Sequence, residues 1–383
     1  MHDFLGFLKR HIGAVDDFVF NRLDVCRFYA LCFAYAVAVY GVWIAPPMNY
    51  AVSKNPFVNI FINAPRFQFI YDSIVIPLLT YFTGLNATKG LFSLFSLALI
   101  LGGNMLLVYR TKRRLGSDAA KVVMICFLLS PVSVVLLMWL GHSDSMTYLL
   151  QCLLFFSGSA LGNLLIGFVG GMNHFPVMLI SGIGLLGFRN VTGDQRSGRW
   201  QIAGYLSGLG GGYAALQAYQ QHYHLAVRYG RLGYPELMGA KQIALGVLEN
   251  WLAALFSLYN VLWIVVLLSA FCLYRLNRRA FWYLAGINGV FLAASVPVLD
   301  TTRVFSLLSW PLLTWSVLLV LGWERNEGAA NYGELRCFLS AVLIVGLLIP
   351  RLWMFHGSIF FSHFWEMGEG AITELLSAMK SHP

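Results

Sequence analysis

Long apolar runs separated by short polar clusters dominate the chain. Runs over 28–45, 91–109, 121–140, 202–217, 250–274, 280–297, 304–322 and 336–355 approach the ~20 residues a helix needs to cross roughly 30 Å of hydrocarbon. Three shorter runs, 146–158, 160–172 and 175–189, are broken at Ser157-Gly158-Ser159 and at Asn173-His174. Spans this short cross only where surrounding protein satisfies their irregular backbone. The pattern predicts an all-α, polytopic transmembrane bundle of about eleven spans.

The polar stretches organise the rest. Residues 4–23 carry apolar positions at helical spacing interrupted by Lys9, Arg10, Asp16 and Asp17, so 1–27 reads as a cytoplasmic interfacial segment. The transmembrane domain follows over 28–355 and an extracytoplasmic tail over 356–383. Between the first two spans, 46–90 contains Pro46, Pro47, Pro56, Pro65 and Pro77 with several aromatics, and its segment 73–83 is too short to cross. It reads as a first extracytoplasmic loop of short helices lying at the interface. A second large loop on that side spans 218–249. The GLGGG run at 208–212 permits close helix packing and is not a phosphate loop.

Composition removes the soluble alternatives. Of 383 residues, 58% are hydrophobic and 11% charged, against about 45–50% and about 25% in a soluble domain. The net charge of +9 lies in short basic clusters between apolar runs, the pattern of loops that stay in the cytoplasm. No nucleic-acid partner is expected. The strongest cluster, Arg110 with Lys112, Arg113 and Arg114, fixes an orientation with the amino terminus cytoplasmic and the carboxyl terminus outside. Every His except His2 and His11 then falls on the far side. The six Cys show no CxxC spacing and read as small buried hydrophobes. Residues 1–27 do not resemble a cleavable signal peptide, so the first span is expected to direct insertion into a membrane.

Four polar groups share the far side in this topology: Asp72, His142 with Asp144, Asn173 with His174, and Asp300 with Arg303. Ionisable residues in such apolar settings mark candidate sites. Asp72, in Phe69-Ile70-Tyr71-Asp72-Ser73, is either a general base or a helix N-cap, and the roles are compatible. His142 and Asp144 exceed what capping of the next helix needs. Asn173-His174-Phe175-Pro176 also reads as a simple helix break with Pro in the first turn. Asp300 and Arg303 form either a local ion pair or a phosphate site, the guanidinium fork suiting phosphate. His222 and His224 lack a third ligand at a recognisable spacing, so no metal is expected among the site residues, and a divalent cation has only weak support.

The layout resembles the GT-C glycosyltransferases, integral membrane enzymes that use polyprenyl-phosphate-linked sugars. The shared features are a long first far-side loop with an acid, a basic turn after the second helix, Ser130-Pro131, and the turn Gly141-His142-Ser143-Asp144. They cover most of residues 28–322 by layout and only short patches by residue; the first loop lacks the paired acids of many relatives. The resemblance implies transfer of a sugar, with inversion, from a polyprenyl-phosphate donor to an envelope glycan or lipid-linked acceptor. It implies Asp72 as base, His142 and Asp144 orienting acceptor or sugar, and Arg303 with Arg66 on the lipid phosphate. Asn173, His174 and Asp300 complete the candidate substrate-binding set. Membrane lipid is the other partner, and the bacterial inner (plasma) membrane the expected location. Competing readings are an O-antigen or polysaccharide polymerase, a transporter or flippase, and a scaffold of an envelope-assembly complex.

Overall fold

The computed structural model describes residues 10–42, 47–194, 196–225, 239–298, 300–327, 329–349, 351–355 and 357–361. It is a helical protein with one small β-hairpin. After a helical segment ending in a π turn at Asp17–Arg22, α1 runs Val25–Tyr40, capped by the Asp24 carboxylate accepting from the Cys26 and Arg27 amides. Two short helices, α2 (Pro47–Lys54) and α3 (Val75–Thr83), flank a 3₁₀ segment, Pro65–Asp72. Next come α4 (Lys89–Leu115), α5 (Ser117–Leu129), α6 (Pro131–Met138), α7 (Asp144–Phe156) and α8 (Ala160–Val191). The remaining helices among the described residues are α9 (Arg199–His222), α10 (Ala240–Glu249), α11 (Trp251–Tyr259), α12 (Trp263–Leu276), α13 (Arg278–Ser295), α14 (Thr301–Glu327) and α15 (Ala329–Leu348). Strands β1 (Leu352–Phe355) and β2 (Ser358–Phe361) pair antiparallel.

The helical membrane class is as expected, but the span count is not. Among the described residues, four helical stretches are long and apolar enough to cross: Lys89–Leu115, Ala160–Val191, Trp251–Leu276 and Thr301–Trp323. Counting the bent pair α5–α6 as one gives five, well short of about eleven. Short and polar elements account for the difference. The apolar run 121–140 breaks at Ser130-Pro131 and bends by 65°, because Pro131 lacks an N–H and Ser130 caps the new helix through Val132. At 13 residues, α7 spans only ~20 Å. The two short spans expected at 160–172 and 175–189 are one 32-residue helix, α8, kinked at His174 (φ −156°, ψ 69°) just ahead of Pro176. The expected span 336–355 instead ends at Leu348 and turns into β1. The carboxyl-terminal tail from 362, the first nine residues, and residues 226–238 of the second loop lie outside the described residues.

Helix α14 is the buried axis, packed by α8, α13, α12, α6 and β1. Its apolar stretch is the most enclosed of the four candidate spans. A polar bridge registers α14 against α7 and α8: the Gln151 amide donates to Ser181 Oγ (2.9 Å) and to the Leu307 carbonyl (2.8 Å), and Trp310 Nε1 donates to Gln151 Oε1 (2.7 Å). Helices α8 and α9 lie in backbone contact along Gly167 and Gly171 on one and Gly204, Gly208 and Gly212 on the other. A Cβ at Gly208 or Gly212 would collide with the backbone at Leu164 or Phe168. The GLGGG run therefore does what its composition predicts. At the end of the bundle holding the α4 carboxyl terminus, Arg336 bridges Asp16 (3.1 Å) and Asp118 (3.4 Å), tying the amino-terminal segment to α5 and α15.

Candidate functional site

The turn between α6 and α7 sets the site. Trp139 ends α6, Gly141 takes φ 90°, a value that favours glycine, and α7 begins at Asp144. The turn is pinned from two sides. Asn49 on α2 donates to the Gly141 carbonyl (3.3 Å), and Asn173 on α8 donates to the Ser143 carbonyl and Thr147 Oγ1, both at 3.0 Å. Asn173 occupies the break before Pro176, where its own carbonyl, released from the helix, accepts the Ser73 hydroxyl. The predicted helix break is thus a junction joining α8, α7 and the first loop.

From α14, Arg303 reaches into this turn. Its Nε lies 2.6 Å from Asp144 Oδ2, and its Nη2 lies 2.7 Å from His142 Nδ1. A guanidinium donates to that nitrogen only if the imidazole is neutral there. His142 Nδ1 is also 3.3 Å from Asp144 Oδ1. The Arg303 guanidinium sits over the Trp139 ring, 5.2 Å from its centroid, a cation–π arrangement. Asp144 is fully buried, so pairing with Arg303 is what makes a carboxylate tolerable there.

Asp300 stands one turn before Arg303. Its Oδ1 accepts the Arg303 backbone N–H (3.3 Å), and its Oδ2 lies 3.9 Å from Arg303 Nη1 without a hydrogen-bond partner. Trp353 of β1 stands near the carboxyl group and favours its ionised form slightly. Burial pushes this carboxyl up to about 7, against the smaller opposing pull of Arg303.

These side chains open onto a cavity of about 450 Å³, within the ~300–1,000 Å³ typical of ligand sites. His142, His174, Asp300 and Arg303 form its polar part together with Asn49. Phe67, Phe69 and Ile70 of the first loop, Val177 and Ile180 of α8, Leu307 and Leu308 of α14, and Phe355 of β1 form apolar walls. The site is a mainly greasy chamber with a charged, hydrogen-bonding corner.

The sequence-derived residues divide accordingly. His142, Asp144, Asp300, Arg303 and His174 come together from three stretches of chain, Asn173 holding the turn behind them. Asp72 does not line the cavity. Its carboxylate accepts the Gln220 amide of α9 (3.0 Å) at the end of the 3₁₀ segment, and it does not begin a helix, since α3 starts at Val75 behind Ile74. The Arg66 side chain lies outside the described residues. Sequence reading missed Asn49, Trp139 and the hairpin residues Trp353 and Phe355. Trp139, three residues before the His of a His-Ser-Asp turn, was the one with a local signal. Among the described residues no three His, Cys, Asp or Glu gather as a metal site. No family model matches this chain, and comparison with curated proteins and with solved structures gives no match.

Proposed function

We propose that this chain is a membrane glycosyltransferase with a GT-C-like arrangement. It moves a sugar from a polyprenyl-phosphate donor to an envelope glycan or lipid-linked acceptor, with inversion. The observation that carries this reading is the cavity itself: an apolar chamber of about 450 Å³ ending in Arg303, His142, Asp300 and His174. A ligand that fits it joins an isoprenoid or acyl portion to a hydroxyl-rich, anionic headgroup. Arg303 would face the donor phosphate and offset the charge that grows there as the sugar leaves. Asp144 and Trp139 hold that guanidinium in place, and His142 and His174 supply hydrogen-bonding nitrogens for sugar hydroxyls. Apolar walls exclude the water that would otherwise hydrolyse the donor.

The same reading places the site at the extracytoplasmic face of a bacterial inner membrane. Helix α7 starts at the site with Asp144 and ends at Phe156, where Arg114 of the basic cluster lies over the Phe156 ring at 5.1 Å. Basic residues favour the cytoplasm, so the opposite end of α7 faces outward.

The test is transfer by the purified chain in lipid vesicles, supplied with ¹⁴C-labelled polyprenyl-phosphate sugars extracted from the membranes of the native host. Appearance of label in a second lipid or glycan, with polyprenyl phosphate released, supports the reading. Label that crosses the vesicle membrane unchanged points instead to a flippase. Retention of all label in the donor would sink the proposal.

A further inference from the structure

Two candidate acids stand at the charged corner, and they are not equivalent. Asp144 is spent on Arg303 at 2.6 Å and does not line the cavity. Asp300 lines it, is 4% exposed, and carries Oδ2 without a hydrogen-bond partner. A carboxylate oxygen buried in an apolar chamber, with a guanidinium at 3.9 Å but no hydrogen bond, is costly, and such groups need an explanation. Asp72, the acid that the family resemblance favoured, lines no part of the chamber and holds Gln220.

We propose that Asp300 is the catalytic residue that takes the proton from the acceptor hydroxyl. This rests on the transferase reading and deepens it by moving the base from the first loop to the head of α14. In the step, the acceptor oxygen bonds the anomeric carbon as the bond from that carbon to the donor phosphate oxygen breaks. The electron pair of that bond leaves with polyprenyl phosphate, and the hydroxyl proton passes to Asp300 Oδ2. The phosphate gains one negative charge, which Arg303 faces, so base and cation sit one helical turn apart on α14. The charged and titratable groups around Asp300 are Arg303 on its own helix, Asp144 on α7, His142 in the turn before it and His174 on α8. Arg303 Nη1 at 3.9 Å steadies the ionised form without capping it. The Arg303 amide, donating to Oδ1 at 3.3 Å, holds the carboxyl group on the other side. With its carboxyl raised to about 7, Asp300 is matched to proton transfer near neutral pH.

The experiment compares wild type, Asp300→Asn, Asp300→Glu and Asp72→Asn as purified chains in vesicles with the same ¹⁴C-labelled donor extract. The dependence of rate on pH is read for each. Asp300→Asn is expected to lower kcat by about 10²–10⁴-fold with KM little changed, and to abolish a rise of rate with pH centred near 7. Asp300→Glu restores that rise in part, while Asp72→Asn keeps it. If wild type transfers sugar and Asp300→Asn keeps the pH rise, or stays within about threefold of wild type against that expected loss, the assignment is overturned and the transferase reading stands. If Asp72→Asn alone removes the rise, the base belongs in the first loop. No transfer by wild type overturns both.

Discussion

At the scale of single residues, the Arg303 guanidinium is held in common by Asp144, His142 and the face of Trp139. Removing one member of such a buried pair strands the other, at a cost of about 3–5 kcal/mol. Arg303→Ala and Asp144→Asn are each expected to lower unfolding stability in detergent by an amount of that order. The double variant should lose less than the sum, because neither charge is then left alone; additive losses would show that the pair is not coupled. Asp300 gives a separate signature. Its folded carboxyl titrates near 7 against an ordinary 3.8, so between those values the folded chain holds a proton that the unfolded chain has lost. This contribution is fully present below about pH 4 and disappears as pH rises through 7. Thermal scans of wild type between pH 5 and 8 should therefore show this contribution to stability falling with rising pH, and Asp300→Asn should lack it.

At the scale of elements, the sequence exposed the polar turns well and their connections poorly. His142, Asp144, Asp300 and Arg303 stand out because an ionisable group flanked by apolar runs has few bland uses. The spacing could not reveal that Arg303 crosses to Asp144, 159 positions away. The run 160–189 looked like two spans because Asn173-His174 and Pro176 interrupt it, yet the helix resumes after one non-helical residue. Side chains of Ser73 and Asn173 supply hydrogen bonds across that break. The place of Asp72 outside the chamber was not legible, because a first loop without periodicity gives no register for its side chains and Gln220 on a distant helix donates to it. The glycine seam was legible, and it yields a sharp contrast. Gly208→Val is expected to abolish recovery of monodisperse protein, since any Cβ there meets the Leu164 backbone. Gly210→Ala, with nothing within 4 Å of its added carbon, should be recovered like wild type by size-exclusion chromatography.

At the scale of the whole molecule, the basic clusters and the site occupy opposite ends of α7, and the orientation can be read chemically. Cys26 and Cys337 are exposed near the end that carries Arg336 with Asp16 and Asp118, whereas Cys32, Cys126 and Cys152 are buried. A membrane-impermeant maleimide should label Cys26 and Cys337 in inside-out vesicles and spare them in right-side-out spheroplasts. The reverse pattern would invert the proposed topology.

The hairpin β1–β2 has a consequence for how the protein is made. Its Met354 amide donates to Thr302 Oγ1 at 2.9 Å, beside Arg303, while Phe355 closes one side of the cavity and Trp353 reaches Asp300. Every other described wall of the chamber is translated earlier, so α14 can insert while the hairpin has yet to emerge and the chamber is incomplete. Of the described walls, the hairpin is thus the last to be made. A chain stopped at residue 350 should reach the membrane in normal amounts, judged by immunoblot of membrane fractions, and remain silent in the sugar-transfer assay.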